Sequence, residues 1–284
     1  LPELPETETI ARDLHAMVVS ATITRVEVPR ADVLREHVAE QFRAALIGLP
    51  IRRVWRRAKL IVLDLDPRPE RAALDPVWRL VVQPRFTGGV VVDHGQLNDA
   101  ERAYVCVTLG LDDGRALHYR DVRRLGTVAL MDRARFDAYS GALGPEPLDE
   151  ALTADAFSVC VRSSRQAIKI ALMDQKRLAG VGNIYANEAL WRAGIDPSRE
   201  AERLSDAESV ALLTALQAVL TASIAARGTS FRDYRDARGE RGSFVEQLAV
   251  YGRAGEPCRR CRRRLVGTHA VDGRSTVFCP GCQC

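Results

Sequence analysis

Lysine is nearly absent from this chain. Lys59, Lys169 and Lys176 are the only three among 284 residues, and 38 arginines carry the other positive charges. Arginine enrichment of this kind follows genome base composition, so it excludes no function, but each retained lysine becomes worth locating. Long apolar runs are missing as well: none approaches the ~20 residues of a membrane span. No basic segment followed by an apolar stretch marks a secretory signal, so the expected location is the cytoplasm, with no membrane partner. The seven cysteines are odd in number, which without a secretory signal argues against a disulfide framework. No internal repeat or low-complexity tract occurs.

What is present fits a globular α+β protein, 46% apolar and 27% charged. Its length suggests two domains, and its texture divides it into 1–145, 146–245 and a short 246–284. The net charge of +4 does not establish nucleic-acid binding, but its distribution is informative. From Arg227 onward, twelve arginines face six acidic residues, so this segment is +6 and the remainder −2. A basic C-terminal segment can meet a phosphate backbone.

Ile10, Leu14, Met17 and Val18 recur at helical spacing near the start. Short apolar or alternating runs follow at 21–28, 59–65, 80–83, 89–92, 104–109 and 126–131, separated by charged or Gly/Asp-containing stretches. Many short strands at this spacing predict a β-sandwich or barrel-like sheet pair behind a leading helix. Gly144-Pro145-Glu146-Pro147 reads as a linker, and helical signals follow it. Ser205-x-x-Glu208 is a capping box ahead of Val210, Leu213, Leu216, Leu220 and Ile224, with Gly228 as the stop.

Three blocks carry chemistry. The chain begins Leu1-Pro2-Glu3-Leu4-Pro5-Glu6. Once an initiator residue is removed, Pro2 offers a secondary amine that can attack a sugar carbon and hold the product as an iminium ion, and Glu3 beside it can move protons. Leu1 is read as a UUG or CUG start translated literally, where the ribosome would install a methionine that is removed before proline. If leucine stayed, the Pro2 nitrogen would be an amide and no nucleophile. In the middle, Gly180-Val181-Gly182-Asn183 separates two helix-like runs. The glycines permit a tight turn, and the N–H groups of the following helix can face an anion. Near the end, Cys258-x-x-Cys261 and Cys279-x-x-Cys282 lie seventeen residues apart. Four thiolates at this spacing suit a closed, structural Zn2+ site on a returning hairpin, the alternative being two disulfides. Asp272-Gly273-Arg274-Ser275-Thr276 falls at the expected tip, where Arg274 can fork onto a phosphate.

These blocks resemble, in order and spacing, the formamidopyrimidine-DNA glycosylase family. The Pro2–Glu6 string, the stretch Leu172–Gly194 and the cysteine hairpin carry the resemblance, which extends over essentially the whole chain. It implies a β-sandwich with a leading helix, a helix–two-turn–helix domain and a zinc β-hairpin. The implied activity is release of oxidised purines from duplex DNA with AP lyase elimination, by a bacterial, nucleoid-associated monomer. Pro2 would be the nucleophile, Glu3 the proton carrier and Glu6 its support. Lys59 takes the position of an active-site lysine, Arg274 contacts the phosphate beside the extruded nucleotide, and Lys169 and Asn183 bind phosphates. A wedge of Phe86, Arg123 and Leu125 would fill the hole left by the extruded base, with Arg123 in the place of the arginine that reads the opposite cytosine. Phe86 stands where the family usually has methionine and Leu125 where it has phenylalanine, while Val122 replaces a customary proline and Gln83-Pro84 a His-Leu. The loop of about 226–243 would close over the flipped base, and its length and polarity suit a mobile segment. Two other readings stay open at this level: a catalytically silent damage-binding paralogue, and an oxidised-pyrimidine glycosylase of the endonuclease VIII type.

Overall fold

The computed structural model describes residues 2–68, 70, 76–93, 95 and 97–284, so Leu1 and its reading as an initiator lie outside the described residues. Helix α1 (Leu4–Val18) starts where the sequence can start one. Glu3 is the N-cap, and Pro5 sits in the first turn, where its missing N–H is no loss. The backbone N–H of Glu3 donates to Glu6 Oε2 at 2.9 Å, which closes a capping box. Ile10, Leu14 and Val18 are fully buried on one face of the helix.

Behind α1 come β1 (Ile23–Glu27), β2 (Leu34–Arg35), α2 (Ala39–Leu46), β3 (Ile51–Arg57), β4 (Leu60–Leu65), β5 (Trp78–Gln83) and β6 (Gly88–Asp93). Then follow α3 (Asp99–Arg102), β7 (Val105–Leu111), β8 (Ala116–Asp121), β9 (Thr127–Asp132) and α4 (Arg133–Gly141). The strands form two sheets, ordered β1-β7-β8-β6 and β2-β9-β5-β4-β3, antiparallel except for the β2–β9 pair. Leu63, Leu80, Val82 and Val128 of one sheet meet Val90, Val107, Leu109 and Leu117 of the other in a single apolar core. The expected sandwich is therefore present. Strands β3 and β8 escaped the sequence reading because arginines, His118 and Asp121 interrupt their alternation, and a register shift between Ile51 and Arg53 breaks the period in β3.

The chain divides into two compact units, residues 1–141 with 227–243, and residues 142–226 with 244–284. The second holds α5 (Ala154–Arg162), α6 (Ile168–Met173), α7 (Asn183–Ala193), α8 (Asp206–Ala225), β10 (Val266–Thr268) and β11 (Thr276–Phe278). The Ser205–Glu208 capping box at α8 forms as read: Glu208 N–H donates to Ser205 Oγ, and Ser205 N–H to Glu208 Oε2. Leu212, Leu213, Leu216, Val219 and Leu220 are buried, whereas Val210 is exposed. By length and mean hydropathy, 1.5 over eighteen residues, α8 could span a membrane, contrary to the sequence expectation. Its apolar side chains instead pack against α7 and α5 as a core helix.

Candidate functional site

In the first unit, two buried carboxylates stand at the start of α1. Glu3 is 3% exposed and Glu6 fully buried. Glu6 Oε2 accepts the Glu3 N–H, and its Oε1 accepts the N–H of Thr229 at 2.8 Å. One side chain thus ties the beginning of the chain to a segment more than two hundred residues away. Gly228 makes that approach possible. Its φ is +88°, and a Cβ there would lie 3.0 Å from Glu6 Cγ and from the Tyr234 ring. Pro2 is buried beside this pair.

The segment expected to be a mobile cover is packed at both ends. Thr229, Ser230, Tyr234, Asp236 and Ala237 are buried. The Tyr234 hydroxyl donates to Arg227 O at 3.1 Å, and the Arg227 guanidinium joins Asp13 to Asp236. Asp236 Oδ1 accepts the N–H groups of Arg238 and Glu240 at 2.9 Å. The exposed parts are the tip Phe231-Arg232-Asp233, the stretch Arg238-Gly239-Glu240-Arg241 and Ser243.

Lys59 lies half-buried in the two-residue turn between β3 and β4, not inside the strand. The residue before it, Ala58, is buried with φ +52°, a conformation that costs a non-glycine residue roughly 1–2 kcal/mol. The wedge candidates sit on two neighbouring loops. Phe86 and Leu125 are each 42% exposed, and the Arg123 guanidinium stacks over the Phe86 ring at 4.9 Å from its centroid. A cavity of about 280 Å³ opens beside the first loop, lined by Thr87, Gly88 and Tyr104 and, from the 226–243 segment, by Arg232, Asp233 and Arg235.

In the second unit, the glycine turn leads into α7 as expected, and the Gln175 side chain braces it through the Gly180 N–H and the Val181 carbonyl. Arg274 stands at the hairpin tip between β10 and β11, exposed, and its guanidinium makes no hydrogen bond or ion pair among the described residues. Lys169 is placed differently from a surface phosphate ligand. It is fully buried, and its Nζ donates to Asp272 Oδ1 at 3.0 Å and to Thr276 Oγ1 at 2.7 Å. Asn183 Nδ2 donates to Ser275 O at 2.9 Å. Both side chains therefore hold the hairpin that carries Arg274. Asn187 adds a third tie, accepting the Val277 N–H at 2.8 Å.

The four motif cysteines converge. All four Sγ atoms lie within 4.8 Å of one another, and the Cys261–Cys279 and Cys258–Cys282 separations are 3.3 and 3.9 Å. Tetrahedral thiolates ~2.3 Å from a zinc ion would be ~3.8 Å apart, so the donor set fits a metal. All seven cysteines are free, which removes the two-disulfide alternative.

Comparison with known proteins agrees with this geometry. Residues 1–128 match the formamidopyrimidine-DNA glycosylase N-terminal domain, and residues 143–235 match that enzyme's H2TH domain. The chain belongs to the formamidopyrimidine-DNA glycosylase family. The family's protein from Desulfitobacterium hafniense is 41% identical over 285 residues, and that from Heliobacterium modesticaldum 40% over 286, each alignment covering both chains completely. Among solved structures, Lactococcus lactis Fpg in complex with abasic-site DNA superposes with a TM-score of 0.88 at 31% identity, covering 99% of each chain. A variant of the same L. lactis protein with Fapy-dG-containing DNA gives the same figures.

Several structural residues were not legible in the sequence. Asp121 lies at the start of a wedge loop, and nothing in the sequence signals that it is 1% exposed and gathers donors from both loops. Glu188 is buried in α7 and accepts the N–H groups of Ala249, Val250 and Tyr251 at 2.8–2.9 Å. Burial pushes its carboxyl up, against the pull of those three donors. Its partners are sixty residues away, and no local pattern announces them.

Proposed function

We propose that this protein is a base-excision DNA glycosylase that releases oxidised purines, 8-oxoguanine and formamidopyrimidines, and then cleaves the abasic strand. The observation that carries the reading is the buried Pro2-Glu3-Glu6 cluster at the head of α1, in a chain that matches its family from end to end. Relatives solved with Fapy-dG and abasic-site DNA support the substrate class.

The chemistry follows from the residues. Pro2, freed of the residue before it, presents a secondary amine just ahead of the first turn of α1, where the helix's partial positive charge disfavours an ammonium. Its nitrogen attacks C1′ of the damaged nucleotide, and the C1′–base bond breaks with its electrons leaving on the base. Glu3 gives a proton to the opening sugar and later removes one. The resulting iminium acidifies C2′, so the 3′ phosphate leaves first and the 5′ phosphate second. Glu6 does not move protons in this scheme. Its two oxygens are occupied by N–H donors, and it fixes Glu3 against the covering segment. Phe86, Arg123 and Leu125 fill the vacated stack, and Lys59 meets the lesion or its phosphate.

The second unit grips the backbone. Arg274 contacts the phosphate beside the extruded nucleotide, with Asn183 and the N–H groups opening α7 at a neighbouring one. Lys169 acts on DNA through the hairpin it anchors. Cys258, Cys261, Cys279 and Cys282 would hold a single structural Zn2+. Four thiolates would leave no open position, so the metal would supply folding energy and no chemistry.

The test is base release from duplexes carrying 8-oxoguanine, a formamidopyrimidine or an oxidised pyrimidine, the last because L. lactis Fpg has also been solved with oxidised-pyrimidine DNA. Oxidised purines should be released fastest, and Glu3→Gln should abolish release with duplex affinity nearly intact. Faster release of pyrimidines, or tight binding of every lesion with no release, would overturn the reading.

A further inference from the structure

We propose that Asp121 is a positioning residue that locks the two wedge loops together and thereby sets which base opposite the lesion is accepted. The inference rests on the wedge reading above. Asp121 closes β8 and is almost fully buried. Its Oδ1 accepts the Thr87 hydroxyl and the Arg123 N–H, the latter at 3.1 Å. Its Oδ2 accepts the Gly126 N–H at 2.8 Å and the Tyr119 hydroxyl at 3.1 Å. A carboxylate has about four acceptor sites, and here four donors use them.

The pattern of those donors singles out the wedge. Thr87 follows Phe86, Gly126 follows Leu125, and Arg123 is itself a donor. Each wedge residue is therefore bonded to Asp121 or adjacent to a residue that is. The Arg123 N–H also reaches Thr87 Oγ1 at 3.0 Å, joining one loop directly to the other. The seat at Gly126 admits no side chain, since a Cβ there would lie 2.0 Å from the Tyr119 hydroxyl and 2.6 Å from Gln83 O. Burial and the Asp121 carboxylate push the Tyr119 phenol up, which keeps it a donor.

Backbone conformation points the same way. Arg85 and Arg124, one in each loop, have φ of +52° and +51°. Non-glycine residues persist there only when their surroundings over-determine them, and the Asp121 network does so on both sides. Arg123, which stacks on Phe86, is thus held at its backbone by the same carboxylate that holds the loop beneath Phe86. A shift of ~1 Å in such groups costs up to about a hundredfold in rate. An asparagine in place of Asp121 keeps the size but turns an NH2 toward two of the donors.

The experiment uses full-length, zinc-loaded protein. Base release from 8-oxoguanine is measured opposite cytosine and opposite adenine for the wild type, Asp121→Asn, Arg123→Ala and the double variant, with melting temperatures alongside. The expected result is a cytosine-over-adenine preference lowered roughly tenfold in Asp121→Asn, a similar loss in Arg123→Ala, and no further loss in the double variant. Should Asp121→Asn fail to fold, Thr87→Val removes one donor and leaves the carboxylate, and an intermediate loss of preference is expected. A preference kept within twofold by Asp121→Asn, or by Thr87→Val in its stead, while Arg123→Ala loses it would overturn the role of Asp121. A preference kept by Arg123→Ala would instead overturn the wedge reading, and this inference with it.

Discussion

Changing Glu6 to Gln probes the tie between the start of the chain and the segment over it. The fully buried carboxylate accepts the N–H groups of Glu3 and Thr229, one on each oxygen. Glutamine keeps the shape but offers one acceptor oxygen and an NH2 that cannot accept. One of the two N–H groups then loses a charge-assisted bond and faces another donor. Such a loss costs about 2 kcal/mol, or roughly thirtyfold in a local opening equilibrium at 1.4 kcal/mol per factor of ten. Amide hydrogen exchange reads this directly. The Thr229 or Glu3 N–H should exchange about thirtyfold faster, the unit carrying Glu6 should melt roughly 4–8 °C lower, and base release should fall because Glu3 loses its support. Exchange within threefold of wild type at both amides, with unaltered melting, would refute the anchoring role.

Further predictions come from the second unit and the glycine beside Glu6. Arg274→Ala removes an exposed guanidinium that has no partner among the described residues, so stability should change by less than ~0.5 kcal/mol while the salt slope of duplex binding drops by about one. Lys169→Met leaves the Asp272 carboxylate with the Arg274 N–H but no countercharge and should destabilise the hairpin by up to about 3 kcal/mol, visible as easier loss of zinc to a chelator. Gly228→Ala forces a Cβ toward Glu6 at a positive φ; it should lower both the melting temperature and base release, and wild-type behaviour in both would count against the packing described. Glu208 is held down to about 2 by its hydrogen bond from Arg199, with Ser205 assisting. A carboxyl depressed on folding stabilises above its unfolded pKa of ~4.3 and loses that contribution as pH falls toward its folded value. The Glu208 carboxyl resonance should therefore titrate near 2, and Arg199→Gln should move the midpoint up toward the ordinary range.

The parts of the molecule legible in the sequence are those with local signals. The Ser205 capping box and the paired cysteines act within a few residues and are found where they were read, whereas α8 ends at Ala225 with Ala226 as its C-cap and the left-handed turn begins at Arg227, one residue before the Gly228 read as the stop. The strand runs that alternate cleanly were found, while β3 and β8 were hidden by arginines that lie along the sandwich with their heads in solvent or on acidic partners. The site divides in the same way. Motif order placed Glu3 and Glu6 together at the helix start, and Arg274 at a hairpin tip.

What stayed hidden depends on long-range pairing. Glu6 with Thr229, Arg227 with Asp13, Lys169 with Asp272 and Glu188 with 249–251 are each separated by sixty residues or more. Only folding brings such charges out of water together, and a buried polar group must be matched once it does. The burial of Lys169 is the sharpest case: a lysine read as a phosphate ligand has its known Nζ contacts inside the protein.

The central claim is that the Pro2 nitrogen forms a covalent bond with the sugar of a damaged nucleotide. Borohydride trapping on duplexes with 8-oxoguanine opposite cytosine, and on abasic duplexes, tests it most directly when the intact protein and the adduct peptide are both weighed. The account predicts a protein whose first residue is Pro2 and a reduced adduct on that residue. A protein confirmed to begin at Pro2 that gives no adduct on either duplex, or an adduct mapped to Lys59, would contradict it.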